Sequence, residues 1–132
     1  FVADFVGDGN FVEGTLASQS SDGGTMVTLS DGSVLACRRL APSRRPGERV
    51  IILVRPEDVL LSRQAPDGEP NVVAGDVELV VFQGSFVDLL TRTKCGPLRV
   101  RTHASGAIRI GDRVFLRIPP EACTLLGAES EP

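Results

Sequence analysis

A chain of 132 residues with 42% apolar and 23% charged side chains suits one compact domain or two very small ones, and is too apolar to stay disordered. Its formal charge of −3 is split almost evenly between residues 1 to 66 (7 basic, 8 acidic) and 67 to 132 (7 basic, 9 acidic), so no basic lobe offers a nucleic-acid footprint. The cations are 13 Arg and the single Lys94, set between Thr93 and Cys95, which excludes a Gly-Lys-Ser/Thr phosphate loop.

In chain order, Phe1 to Gly7 reads as a helical turn with Phe1, Val2, Phe5 and Val6 on one apolar face. It has neither an initiator Met nor a signal-peptide pattern, so the chain is expected to be a piece of a longer one. From there on, 16 Val punctuated by 14 Gly and 9 Pro predict many short strands. These are read at Phe11 to Ser18, Thr25 to Leu29, Ser33 to Cys37, Arg49 to Val54, Val59 to Leu61, Val72 to Phe82, Phe86 to Thr93, Leu98 to Thr102, Arg113 to Ile118 and Cys123 to Leu126. Asp31-Gly32 between the second and third strands signals a tight hairpin, because Gly accepts positive φ without steric cost. The polar segment Arg63 to Pro70 reads as a linker. The longest apolar run, Val50 to Val54, is far short of the roughly 20 residues that span a bilayer as a helix.

The chain repeats itself. Asn10-Phe-Val-Glu-Gly14-Thr-Leu16 matches Asn71-Val-Val-Ala-Gly75-Asp-Val77 at an offset of 61, and Gly47 to Glu57 matches Gly111 to Glu121 at an offset of 64. A duplicated unit of about 60 residues has the size of a small Greek-key barrel of the oligonucleotide/oligosaccharide-binding (OB) type. The expected fold is all-β, with tandem OB-like barrels over 10–66 and 67–132 after a short helical lead-in over 1–9. Units this small are marginal alone, so the two are expected to share strands or pack tightly.

The same stretches carry a family resemblance. Phe1-Val-Ala-Asp-Phe-Val-Gly7, Asn10 to Leu16, Val54-Arg-Pro-Glu-Asp-Val-Leu-Leu61, and Gly111 to Leu116 with Pro120-Glu121 resemble the C-terminal regulatory region of ATP-binding-cassette importer ATPases, the transport-associated OB (TOBE) domain. The second half, Val80 to Phe86 through Leu98 to Arg101 and on to Gly111, looks most like the spermidine/putrescine branch; ferric-iron and sugar importers share the pattern. The resemblance implies that this chain modulates and dimerises. Its implied partners are an ATPase domain of the same polypeptide, a second copy of the subunit and membrane permease subunits, with no nucleic acid. ATP and Mg would belong to that ATPase domain, no cofactor is expected in this chain, and the expected place is the cytoplasmic face of the bacterial plasma membrane. The Walker Lys, the signature motif and the switch His of such ATPases are absent here, so no ATP hydrolysis is expected of this chain.

Candidate sites have two readings each. Arg38, Arg39, Arg44 and Arg45 are a solvated loop or a contact for the ATPase domain or anionic lipid. Phe1, Val2, Phe5 and Val6 would form a contact patch where the ATPase domain meets the barrel. Arg55-Pro56-Glu57-Asp58 is a rigid Pro corner, a cation site in which Glu57 and Asp58 accept hydrogen bonds from a polyamine, or a regulatory contact in the dimer. Asn10, Gly14, Asn71 and Gly75 are turn or bulge positions or a backbone-amide anion site like that of molybdate-binding relatives. His103, the one histidine, reads as a strand end; Ser85 and Asp88 are in the chain, but no nucleophile elbow accompanies them. Cys37, Cys95 and Cys123 lack Cys-x-x-Cys spacing and read as reduced, small hydrophobes of a cytosolic protein. Alternative functions are an oxyanion or other small-ligand sensor and, disfavoured by the acidic balance and the absence of Tyr and Trp, a nucleic-acid-binding barrel.

Overall fold

A computed structural model describes residues 9–19, 24–38, 45–103 and 108–127. Ten strands form: β1 (Asn10–Gln19), β2 (Thr25–Leu29), β3 (Val34–Cys37), β4 (Arg49–Val54), β5 (Leu60–Ser62), β6 (Val72–Gln83), β7 (Phe86–Thr93), β8 (Gly96–His103), β9 (Arg113–Arg117) and β10 (Thr124–Gly127). All ten expected strands are present, with ends shifted by one or two residues. The predicted helical lead-in lies outside the described residues, apart from Gly9. Helix occurs instead at two Pro positions, the first of which the sequence suggested only as a corner: Pro56–Asp58 and Pro120–Ala122 are short 3-10 helices. Each begins on a Pro, whose fixed φ suits a first helical position and whose missing N–H would be unpaired there anyway.

The hairpin at Asp31-Gly32 forms as expected. Gly32 sits at φ 91°, its N–H bonds the Leu29 carbonyl at 3.0 Å, and the Ser33 carbonyl accepts the Leu29 N–H at 2.8 Å. A second hairpin joins β6 to β7 through Gly84-Ser85, with Gly84 at φ 78° and Gln83 paired to Phe86.

The repeat is reproduced in the backbone. Leu16 of the first half is bonded as Val77 is in the second. The Leu16 N–H reaches the Glu48 carbonyl at 2.8 Å and its carbonyl accepts the Gly47 N–H at 2.7 Å, while the Val77 N–H reaches the Asp112 carbonyl at 2.9 Å and its carbonyl accepts the Gly111 N–H at 2.7 Å. Gly47 (φ 94°) and Gly111 (φ 95°) close the matching turns. Both sheets have the same order, β10-β4-β1-β2-β3 and β5-β9-β6-β7-β8. The halves are interlocked, since β5 pairs antiparallel with β9 and β10 with β4. Each half therefore gives its last strand to the other half's sheet, and the sheets do not divide at residue 66. Side chains of both sheets, among them Leu16, Val27, Ile52, Leu89, Val100 and Leu116, fill one contiguous core. Sharing it removes more apolar surface from water than two separate units of this size could.

Candidate functional site

Two equivalent corners gather five of the residues that the sequence singled out: Asn10, Asn71, Arg55, Glu57 and Asp58. In the first, Asn10 at the start of β1 is buried, and its Nδ2 donates to the Arg99 carbonyl at 2.9 Å while its Oδ1 accepts the Arg99 N–H at 2.7 Å. In the second, Asn71 accepts the Ala36 N–H at 2.8 Å and donates to the carbonyls of Ala36 at 2.7 Å and Ile118 at 2.8 Å. β8 and β3 are the terminal strands of their sheets. Each Asn thus satisfies outward-facing main-chain groups of an edge strand that would otherwise be open to unwanted pairing. Asn71 does so from φ 60°, a left-handed conformation that Asn tolerates better than other side chains. The amides of Asn10 and Asn71 are thereby committed to backbone, which the sequence pattern did not reveal.

The 3-10 helix Pro56–Asp58 packs on β8 beside the first corner, and Pro120–Ala122 packs on β3 beside the second. Glu57 is exposed and Asp58 half-buried, both in the first turn. Arg55 is exposed and its carbonyl accepts the Asp58 N–H at 3.0 Å. Arg55 and Asp58 are replaced in the second corner by Pro119 and Ala122, so only the first corner is charged on both sides of its turn. Gly14 and Gly75 lie further along β1 and β6, away from these corners. A Cβ at Gly14 would lie 2.5 Å from Val27 Cγ1 and 2.9 Å from the Thr28 oxygen, whereas at Gly75 the nearest atom would be Thr93 Cγ2 at 3.2 Å. Both glycines permit close strand approach.

Arg38 and Arg45 are exposed, and their main-chain N–H groups bond the Pro120 carbonyl at 3.0 Å and Glu48 Oε1 at 2.7 Å. Arg39, Arg44, Phe1, Val2, Phe5 and Val6 lie outside the described residues. His103 is exposed on β8 opposite Phe86. Asp88 is engaged by Arg101 at 2.8 Å and by the Gln83 amide at 3.3 Å. The hydrogen bond from Arg101 holds the Asp88 carboxyl below the ordinary carboxylate range. The guanidinium of Arg101 also lies 4.8 Å from the Phe86 ring centre.

A groove of about 550 Å³ opens beside the second corner, between the β2–β3 hairpin, β6 and the β7–β8 turn. Its floor is apolar, with Val12, Leu35, Val73 and Leu98, and its rim carries Asp31, Asp76, Lys94 and Arg113. Asp31 is held below its usual pKa chiefly by the Ser33 hydroxyl, and Asp76 is 3.5 Å from Arg113. Cys95 lines this groove, and burial pushes its thiol above the usual range. Cys123, fully buried, is pushed up by its hydrogen bond with Cys37 and then by burial. Neither has the thiolate character of a reactive cysteine. Among the described residues no three His, Cys, Asp or Glu side chains gather as a metal site, and no helix is long and apolar enough to cross a membrane.

Two interlocked five-stranded sheets built on a sequence repeat, with paired Asn corners, define a tandem OB-like domain. The TOBE-domain family model matches residues 52–126, and the chain belongs to that family. It is similar to the spermidine/putrescine import ATP-binding protein PotA of Rubrobacter xylanophilus, 34% identical over 98% of this chain and 34% of that protein. PotA of Thermobifida fusca is 32% identical over 92% of this chain and 32% of its own length, and that of Acidothermus cellulolyticus 31% over 92% and 32%. The match falls in the C-terminal region of these proteins, so the chain spans about a third of the length of its curated relatives. Among solved structures, the molybdate-bound cytoplasmic molybdate-binding protein ModG superposes with a TM-score of 0.78 at 16% identity, over 89% of this chain and 95% of that one. That likeness is one of fold.

Proposed function

We propose that this chain is the regulatory and dimerisation domain of an importer ATP-binding subunit, working in polyamine uptake at the cytoplasmic face of the membrane. The observation that supports it is similarity along almost the full chain to the C-terminal region of a spermidine/putrescine import ATP-binding protein. In this reading the ATPase domain of the same polypeptide holds ATP and Mg, and this domain works through contacts with that domain, the permease subunits and a second copy. The candidate contacts are the charged corner of Arg55, Glu57 and Asp58, the Arg38 to Arg45 loop, and the lead-in face of Phe1, Val2, Phe5 and Val6.

A chimera tests this. The equivalent C-terminal region of a PotA protein is replaced by this chain in cells that lack polyamine uptake, and labelled spermidine accumulation is followed. Restored uptake is expected. A chimera that accumulates and hydrolyses ATP normally but carries no spermidine would overturn the reading. Direct ligand sensing is tested on the isolated chain by thermal melts with millimolar spermidine or molybdate, because a ligand that binds the folded state must raise its melting temperature. A rise with molybdate alone would favour the oxyanion-sensor alternative.

A further inference from the structure

We propose that the free edge of β6, from Glu78 to Gln83, pairs antiparallel with the same edge of a second copy of this chain, about a two-fold axis at Val81. This deepens the reading above, in which a second copy is a partner, by naming the surface and its register. β6 has 12 residues, but β9 covers only Val72 to Asp76, and Val77 is taken by the main chain of Gly111 and Asp112. Beyond that point no strand among the described residues pairs with β6 on this side. Gln83 and Phe86 flank a two-residue turn, so that pair is a hydrogen-bonded one, and alternation makes Val81 with Asp88 the next. The N–H and C=O of Val80 and Phe82 therefore point away from β7, into the open.

The side chains on this edge are apolar and exposed: Leu79 by 49%, Val81 by 40% and Phe82 by 73%. The corresponding part of β1 shows that the architecture does not require this. The strands carry matching bulges, between Leu16 and Ser18 and between Val77 and Leu79, yet β1 continues as Ala17, Ser18 and Gln19. Edge protection is sparse: from Glu78 to Gln83 there is no Pro or Lys, and only the bulge at Glu78 and its single carboxylate interrupt the edge.

The edge is self-complementary in hydrogen bonding and brings no charge against a like charge. With the axis at Val81, Val80 faces Phe82 of the other copy twice, which allows four main-chain bonds. Val81 faces its own equivalent in the closer, non-hydrogen-bonded position. Glu78, the one charged residue of the segment, falls opposite Gly84 and is already bonded by Arg92 Nε at 2.7 Å. No like charges meet. Such an isologous contact closes as a dimer.

The test is sedimentation of the whole chain across micromolar to millimolar concentration, with wild type, Val81→Lys, Val81→Asp and Ser18→Lys. Wild type and Ser18→Lys are expected to dimerise. Either Val81 variant should weaken dimerisation at least about tenfold by setting like charges face to face, while its melting temperature when dilute stays near wild type. Mixing Val81→Lys with Val81→Asp should restore a dimer, because only direct opposition brings these two side chains together. Val80→Pro removes an outward N–H without touching the β7 ladder and should also weaken the dimer. A wild type that remains monomeric at millimolar concentration, a Val81→Lys chain that dimerises as well as wild type, or a charged mixture that gives no dimer would each overturn the pairing. None of these results bears on spermidine uptake by the chimera, so the two readings fail separately.

Discussion

The two halves of this domain begin from one sequence repeat and one sheet order, yet they differ in more than the charged corner of Arg55 and Asp58. Asn71 holds three backbone groups from a left-handed backbone, while Asn10 holds two. Gly14 sits under much closer neighbours than Gly75. The β6–β7 arm carries an exposed apolar edge where the β1 arm is polar. What the halves keep is the scaffold, namely the Gly turns, the exchanged last strands and the Asn clamps on edge strands. What diverges is the bonding and packing detail at those shared positions and, on the surface where partners act, the side chains of the β6–β7 arm.

The largest expected effect comes from the clamps. Asn71→Ala leaves the Ala36 pair and the Ile118 carbonyl without their partner and puts Ala at positive φ, so a loss of about 3 to 4 kcal/mol in urea denaturation is expected. Asn10→Ala strands two groups and should lose about 2 to 3 kcal/mol. Equal losses would mean that the third bond and the unusual φ of Asn71 carry no weight.

Next come the glycines. Gly14→Ala forces a Cβ against Val27 and the Thr28 oxygen and should cost about 2 kcal/mol, in the range of overpacked cores. Gly75→Ala meets only contacts of 3.2 Å and beyond, and should lose under about 1 kcal/mol. Thermal melts of the two variants side by side check the order, and a costlier Gly75→Ala would break the comparison.

A smaller effect lies in the apolar arm, where Arg101 binds Asp88. Because this lowers the folded pKa of Asp88, the stabilisation is complete above the ordinary carboxylate pKa of about 3.9. It fades as pH falls through the lower folded value. Asp88→Asn should therefore be less stable than wild type by up to about 1 kcal/mol at neutral pH, with the gap closing in strong acid. Stability curves over pH measure it directly. The smallest effects belong to Glu13→Ala and Asp76→Ala, which remove the cross-strand partners of the equivalent residues Arg49 and Arg113. Both pairs are mostly exposed, and each loss should stay below about 0.5 kcal/mol in the same denaturation assay.

Much of this fold was legible in the sequence because its signals are local. Strand alternation, Asp31-Gly32 and the spacing of Gly47 and Gly111 act over a few residues, and the repeat offsets showed two equivalent units. The 3-10 helices at Pro56 and Pro120 escaped because three residues are too short for helical periodicity, although Pro at a first position was their signal. The candidate residues were legible as positions but not as arrangements. Asn10 and Asn71 stood out by repetition, yet their partners Arg99 and Ala36 lie 89 and 35 residues away.

By itself the sequence determined the all-β character, the duplication and the family resemblance, since each is written in residue order, spacing or motif. Only the tertiary structure decided that β5 and β10 cross into the opposite sheets, that both Asn side chains close edge strands, and that β6 runs past its neighbour to leave Val80 and Phe82 open. These depend on which distant strands lie side by side. Pairing of that kind is selected by burial of a common core and by satisfaction of main-chain hydrogen bonds, neither of which a local stretch of sequence contains.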